Sequence, residues 1–134
     1  MVGAGHLAHV AALDERRRQG AAAALDDVGT ARRPSRRAGS TGPRTTLRPA
    51  GAGAARVLTG DFEIVSLTGT LSREGHHLHM SLSDSECRTY GGHVLEGCMV
   101  RTTAEIALGI VEGVAFNRPV DPRTGFKELS VDEL

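Results

Sequence analysis

The sequence predicts an α/β (α+β) fold: a mainly antiparallel sheet carrying one or two helices. Three observations predict it. Apolar residues alternate with a period of two over His77 to Leu82 and over Cys98 to Leu108, the pattern of half-buried strands. Turn-forming residues separate the runs at short intervals, which suits antiparallel connections. Leu7, Val10 and Leu13 are three apart in a stretch of helix formers, which suits a helix. A chain of 134 residues is long enough for one core and too short for two substantial ones.

The elements follow in order. A helix is expected over Leu7 to Leu25, with Gly20 as a break or C-terminal cap. Gly29 to Ala55 is Arg, Gly, Pro, Ser, Thr and Ala, interrupted by Pro34, Pro43 and Pro49. It offers little apolar surface to offset the entropy of ordering it, so it reads as linker or disordered tail. Residues 1–49 are therefore expected to be a divergent or disordered region with at most one helix, and residues 50–134 the folded domain. Asp61 to Leu71 is rich in Phe, Ile, Val, Thr and Leu and suits a strand. Ser72 to Gly75 is a turn. His77 to Leu82 places Leu78, Met80 and Leu82 on one face and His77, His79 and Ser81 on the other. Ser83 to Arg88 is turn-like, Gly91-Gly92 permits unusual backbone geometry, and Cys98 to Leu108 is expected to be strand. Val114 to Phe116 is a short strand, and Asp121 to Gly125 is a turn.

The formal charge is zero, but the sum conceals an asymmetry. Residues 1–60 carry ten arginines against four carboxylates, a net +6, and residues 61–134 carry six bases against twelve acids, a net −6. Within Val28 to Arg56 there are seven arginines and no acid. Arg32, Arg33, Arg36 and Arg37 are the densest part of this arm, and such a cluster attracts phosphate backbones. A charge-biased linker without a partner would have the same composition. The four aromatic residues, Phe62, Tyr90, Phe116 and Phe126, argue against a stacking platform for single strands. Two cysteines are too few for a disulfide framework, no apolar run reaches membrane-spanning length, and no secretory signal pattern opens the chain. A cytoplasmic protein is expected.

One constellation carries chemistry. Residues two apart on a strand project from the same face about 7 Å apart, so His77 and His79 aim together. His93 follows the double glycine, where backbones can approach closely. Three neutral imidazoles leave an open coordination position and suit a divalent ion, zinc above all. An HxH pair on a strand is also an ordinary solvent-facing pair. Glu96 and Glu105 are candidates to orient imidazole N–H groups or shuttle protons; isolated surface charge is the plainer reading of each. No nucleophile elbow or phosphate loop is present, so no catalytic residue is named.

Several segments resemble the plants-and-prokaryotes-conserved (PPC) domain. Phe62 to Thr70 (FEIVSLTGT) is similar to its FEILSLSGT segment, His77 to Asp84 (HLHMSLSD) to HLHxSLxD, Gly91 to Cys98 (GGHVLEGC) to GGHLLxGC, and Val100 to Ile106 (VRTTAEI) to VxTTxEI. The match runs in order from about Ala50 to Leu129. The resemblance implies a compact α/β domain that trimerises, a metal site at His77, His79 and His93 as in some members, and association with DNA by analogy with the plant proteins. The family opens with a strand, a helix and a second strand. Met1 to Pro49 supplies only the helix in this reading, so the opening is expected to be incomplete, divergent or frame-shifted. Three functions are compatible: a DNA-binding or regulatory homotrimer with a three-histidine metal site, a metal-dependent enzyme or small-molecule binder, and an interaction module with histidines at a subunit interface.

Overall fold

The computed structural model describes residues 7–14, 43–72, 75–101 and 104–134. These form nine strands: β1 (Leu7–Asp14), β2 (Arg44–Arg48), β3 (Arg56–Thr59), β4 (Glu63–Ser72), β5 (Gly75–Ser83), β6 (Thr89–Val94), β7 (Glu105–Val111), β8 (Val114–Asn117) and β9 (Ser130–Glu133). Seven of them make one sheet in the order β3-β2-β6-β5-β4-β1-β7, and β8 and β9 make a separate antiparallel pair. Most pairings are antiparallel, but β1 runs parallel to both β4 and β7.

The helical part of the expected fold is overturned. Among the described residues there is no helix, and the fold is all-β. Leu7 to Asp14, expected to open a helix, is a strand between β4 and β7, with six register pairs to β7. The opening strand expected to be missing is therefore present. The run Ala8-His9-Val10-Ala11-Ala12-Leu13 is nearly continuous in small and apolar residues. A strand flanked on both sides in parallel reads that way, and periodicity cannot separate it from a helix. Local propensity is the weaker influence, and the ladder bonds with β7 decide. Arg44–Arg48, placed in the linker, is strand β2, paired with β3 and β6. The remainder of the expected helix, residues 15–25, lies outside the described residues.

Alternation in β5 performs as expected. Leu78, Met80 and Leu82 are buried, with Leu47, Leu67, Leu71, Val94 and Cys98 in the same cluster. Burying each such side chain contributes about 1.5–3 kcal/mol. Leu58, Phe62, Ile64, Ile106 and Leu108 pack against this core. The intervening residues of β5 face the other side of the sheet. The strand expected over Cys98 to Leu108 forms only from Glu105, because Cys98 precedes a non-strand segment. There Cys98 is buried, with its thiol donating to the carbonyls of Thr46 and Leu95, both at 3.4 Å.

Two features fix the registers that matter. The β5–β6 hairpin closes on Asp84. One carboxylate oxygen accepts the backbone N–H groups of Glu86 (2.9 Å) and Arg88 (3.0 Å). The other accepts Arg88 Nε (2.8 Å) and the Tyr90 hydroxyl (3.1 Å). An Asp that gathers the N–H groups of a turn in this way pre-forms it. Gly92 is the second feature: a Cβ there would sit 2.6 Å from the carbonyl oxygen of Arg48. Only glycine lets β2 approach β6 so closely, and this brings Arg48 opposite His93.

Candidate metal centre

The sheet brings the three histidines together on the face away from the core. His77 and His79 are two apart on β5, and His79 pairs directly with His93 on β6. Directly opposed residues of antiparallel strands share a face, with Cβ atoms about 4.5–5.5 Å apart. The ring centroids lie 5.1 Å apart for His77–His79, 4.9 Å for His77–His93 and 5.3 Å for His79–His93. One nitrogen from each ring lies within 4.8 Å of the others. Such a triangle can close on one ion at the roughly 2.0–2.1 Å bond length of a zinc–imidazole contact.

A cationic guest needs imidazoles that keep a lone pair, and two of the three are held toward the neutral form. Burial pushes the His93 imidazole down to about 4, helped by its neighbours His77, Arg48, His79 and His76. Burial also lowers His77, followed by the charges of Arg118 and His79, while Glu128 acts in the opposite sense. Near pH 7 both rings therefore keep a lone pair to offer. Nδ1 of His93 is buried without a hydrogen-bond partner. A buried polar atom left this way costs about 1–3 kcal/mol, and a ligand at this point would satisfy it. The donor set thus fits a divalent ion.

Two arginines missed by sequence reading adjoin the cluster. Arg118, just beyond β8, places its guanidinium 2.5 Å from Nδ1 of His77 and also donates to the carbonyl of Lys127. A guanidinium only donates, so Nδ1 accepts and the ring proton sits on Nε2. Arg48 is the cross-strand neighbour of His93. Its charge disfavours protonation of both His77 and His93. Arg118 is 41 residues from His77 in sequence, and no local pattern connects them. In sequence Arg48 is one of the seven arginines of the basic stretch, and only the β2–β6 register reveals its position beside His93.

The other candidates fall elsewhere. Glu96 is exposed in the turn after β6 and is not part of the cluster. Glu105 opens β7, which is separated from β5 by β4 and β1. At about 4.8 Å per strand, that is roughly 14 Å along the sheet. Arg32, Arg33, Arg36 and Arg37 lie outside the described residues. Among the described residues, no helix is long and apolar enough to cross a membrane.

Comparison with known proteins points to one family. The sequence profile of the Plants and Prokaryotes Conserved (PCC) domain matches residues 5–112. The chain is 40% identical over 91 residues to the bifunctional protein GlmU of Synechococcus sp. (strain JA-3-3Ab), a match covering 68% of this chain and 15% of that protein. GlmU of Synechococcus sp. (strain JA-2-3B'a(2-13)) is also 40% identical over 91 residues, and 14% of its length is covered. The chain thus spans about one seventh of these curated relatives. A hypothetical protein from Salmonella cholerae-suis (Salmonella enterica) is similar in structure, with a TM-score of 0.59 and 39% identity. That match covers 72% of this chain and 71% of the Salmonella chain.

Proposed function

The chain belongs to the Plants and Prokaryotes Conserved (PCC) domain family, and from that premise we propose that it is a metal-binding module whose His77, His79 and His93 hold one divalent ion, zinc by the chemistry of the donors. The observation that carries this reading is the convergence of three imidazole nitrogens within 4.8 Å. The orphaned Nδ1 of His93 supports it. Three protein ligands leave a coordination position for a small molecule, and an ion there would supply Lewis acidity.

The chain's own groups define what such a site does. β5 and β6 pair in register, with His79 opposite His93, so the ladder itself brings the imidazoles together. Burial keeps His77 and His93 unprotonated, so binding need not first remove protons from those two rings near pH 7. Small-molecule binding at a metal is therefore favoured over DNA association by the described residues. Several of their arginines are committed to carboxylates: Arg88 to Asp84 and Glu86, Arg101 to Asp61, and Arg123 to Asp121. The family resemblance supports a homotrimeric assembly, which light scattering tests by a mass three times that of the chain. The activities of the much longer GlmU proteins are not carried over.

Elemental analysis of the purified protein beside a His77→Ala/His79→Ala variant tests the reading. About one equivalent of a divalent ion is expected in the parent, with loss in the variant. Neither histidine belongs to the core cluster, so a native circular dichroism spectrum is expected in both. Equal metal content in the two would remove the site.

A further inference from the structure

Resting on the metal-binding reading above, we propose that Arg118 is a built-in competitor for one ligand of the site: its guanidinium engages His77 and must leave the ring before that imidazole can hold an ion. The observation is one hydrogen bond. Arg118 Nη1 lies 2.5 Å from Nδ1 of His77. A guanidinium has donors and no acceptor, and a neutral imidazole has one lone pair and one N–H. The single lone pair of His77 is therefore spent on Arg118, and its Nε2 carries the proton. While that bond stands, His79 and His93 are the two rings of the cluster left to ligate. Ligation through Nδ1 would take the lone pair that Arg118 uses. Ligation through Nε2 would put the ring proton on Nδ1, facing a donor. In both cases the Arg118–His77 bond must break.

The loop that carries Arg118 gives this contact a fixed base. Arg118 directly follows β8. The segment beyond it closes on itself through the Glu128 N–H, which donates to the Pro119 carbonyl at 3.0 Å, and through the Val120–Lys127 bridge. At this neck the Lys127 carbonyl accepts Arg118 Nη2. Arg118 thus has a partner besides His77, and leaving the ring does not strand it. The competition is one of hydrogen-bond polarity. By linkage, the free energy that the bond to His77 contributes is subtracted from that of ligation, and ligation weakens the bond by the same factor. An acceptor at position 118 would act in the opposite sense, because it would hold Nδ1–H of a ring ligated through Nε2.

The test is a titration of the full chain with Co²⁺ in competition with a chromogenic chelator. The parent, Arg118→Met, Arg118→Gln and Arg48→Met are compared, with circular dichroism to verify each fold. Arg118→Met removes the donor and is expected to tighten Co²⁺ binding about tenfold. Arg118→Gln supplies an amide oxygen that can accept Nδ1–H, and is expected to tighten binding by at least as much. Arg48→Met is the control for charge alone, since the Arg48 charge also reaches His77 and His93. Its effect is expected to be clearly smaller. Unchanged or weaker binding in both Arg118 variants overturns the proposal and leaves the metal reading standing. So does tightening no greater than that of Arg48→Met, which would assign the effect to charge and not to the bond. Failure of the parent and of every variant to take up Co²⁺ is a different result: it removes the metal reading and this inference with it.

Discussion

His79 and His93 stand opposite each other on β5 and β6, with ring centroids 5.3 Å apart. This relationship depends on register. A slip of one residue would turn His93 toward the core and Val94 outward, because side chains alternate faces. The register is set where the hairpin closes, at the Asp84 carboxylate.

Asp84→Ala is therefore expected to act at a distance from its own position. Burial pushes the Asp84 carboxyl up, but hydrogen bonds from Arg88, Glu86 and Tyr90 outweigh this and hold it at about 2. The group is ionised at neutral pH and gathers four donors. Without it the turn loses its organiser. A lower urea midpoint with an unchanged m-value is expected, together with weaker metal retention. A variant with unchanged metal affinity would show that the β5–β6 ladder sets the register without the turn.

Gly69 offers a sharper probe of the same site. Its φ is +155°, and a Cβ there would meet the carbonyl oxygen of His77 at 2.0 Å. Backbone must move to admit a methyl group, and the backbone in question carries a proposed metal ligand. Gly69→Ala is expected to cost at least the ~1–3 kcal/mol typical of overpacking, with loss of bound metal. Gly109, where a Cβ meets nothing within 4 Å, is the control. Gly109→Ala is expected to change stability by no more than about 0.5 kcal/mol. Chemical denaturation of both variants checks the contrast.

Acid should destabilise the metal-free protein through His93. The ordinary imidazole value is 6.5, and in the folded chain burial holds this one at about 4. Between those values the unfolded state binds a proton that the folded state does not, so stability falls as pH drops from 6.5 toward 4. His77 is lowered as well and acts in the same direction. His93→Gln is expected to flatten the dependence in this window. Urea midpoints measured between pH 7 and 4 on parent and variant test it, and identical slopes would count against a neutral His93.

The sheet and the site were unequally legible in the sequence. β4 is legible almost to its ends from its β-branched and large apolar content, and β5 from inward apolar residues that alternate with an outward polar set. The His77–His79 pair followed from the same period. The third ligand candidate, His93, was found from the double glycine, and the close approach at Gly92 gives that clue a physical basis. β1 is not legible as a strand, since a short apolar run flanked in parallel has no period to distinguish it from a helix. β2 was missed because five residues with Leu47 as the single large apolar side chain give too little pattern. Arg48 and Arg118 depend on tertiary register and on a segment from far along the chain. Neither leaves a local trace.

DNA association, where it occurs, is expected to depend on Arg32, Arg33, Arg36 and Arg37. The C-terminal half carries a net −6, and Arg88, Arg101 and Arg123 there are paired with carboxylates. Deleting residues 1–49 would be a poor test, because it removes β1 from within the sheet and β2 from beside the metal centre. Replacing the four arginines with glutamine leaves both strands intact. If all four contact phosphates, the slope of log affinity against log salt on duplex DNA should fall by about 3.6, since each contact contributes roughly 0.9. Metal content should be unchanged. Binding with an unaltered slope would place the contacts elsewhere on the chain. No binding by the parent at low salt would remove duplex DNA from its partners and leave the metal centre as the basis of function.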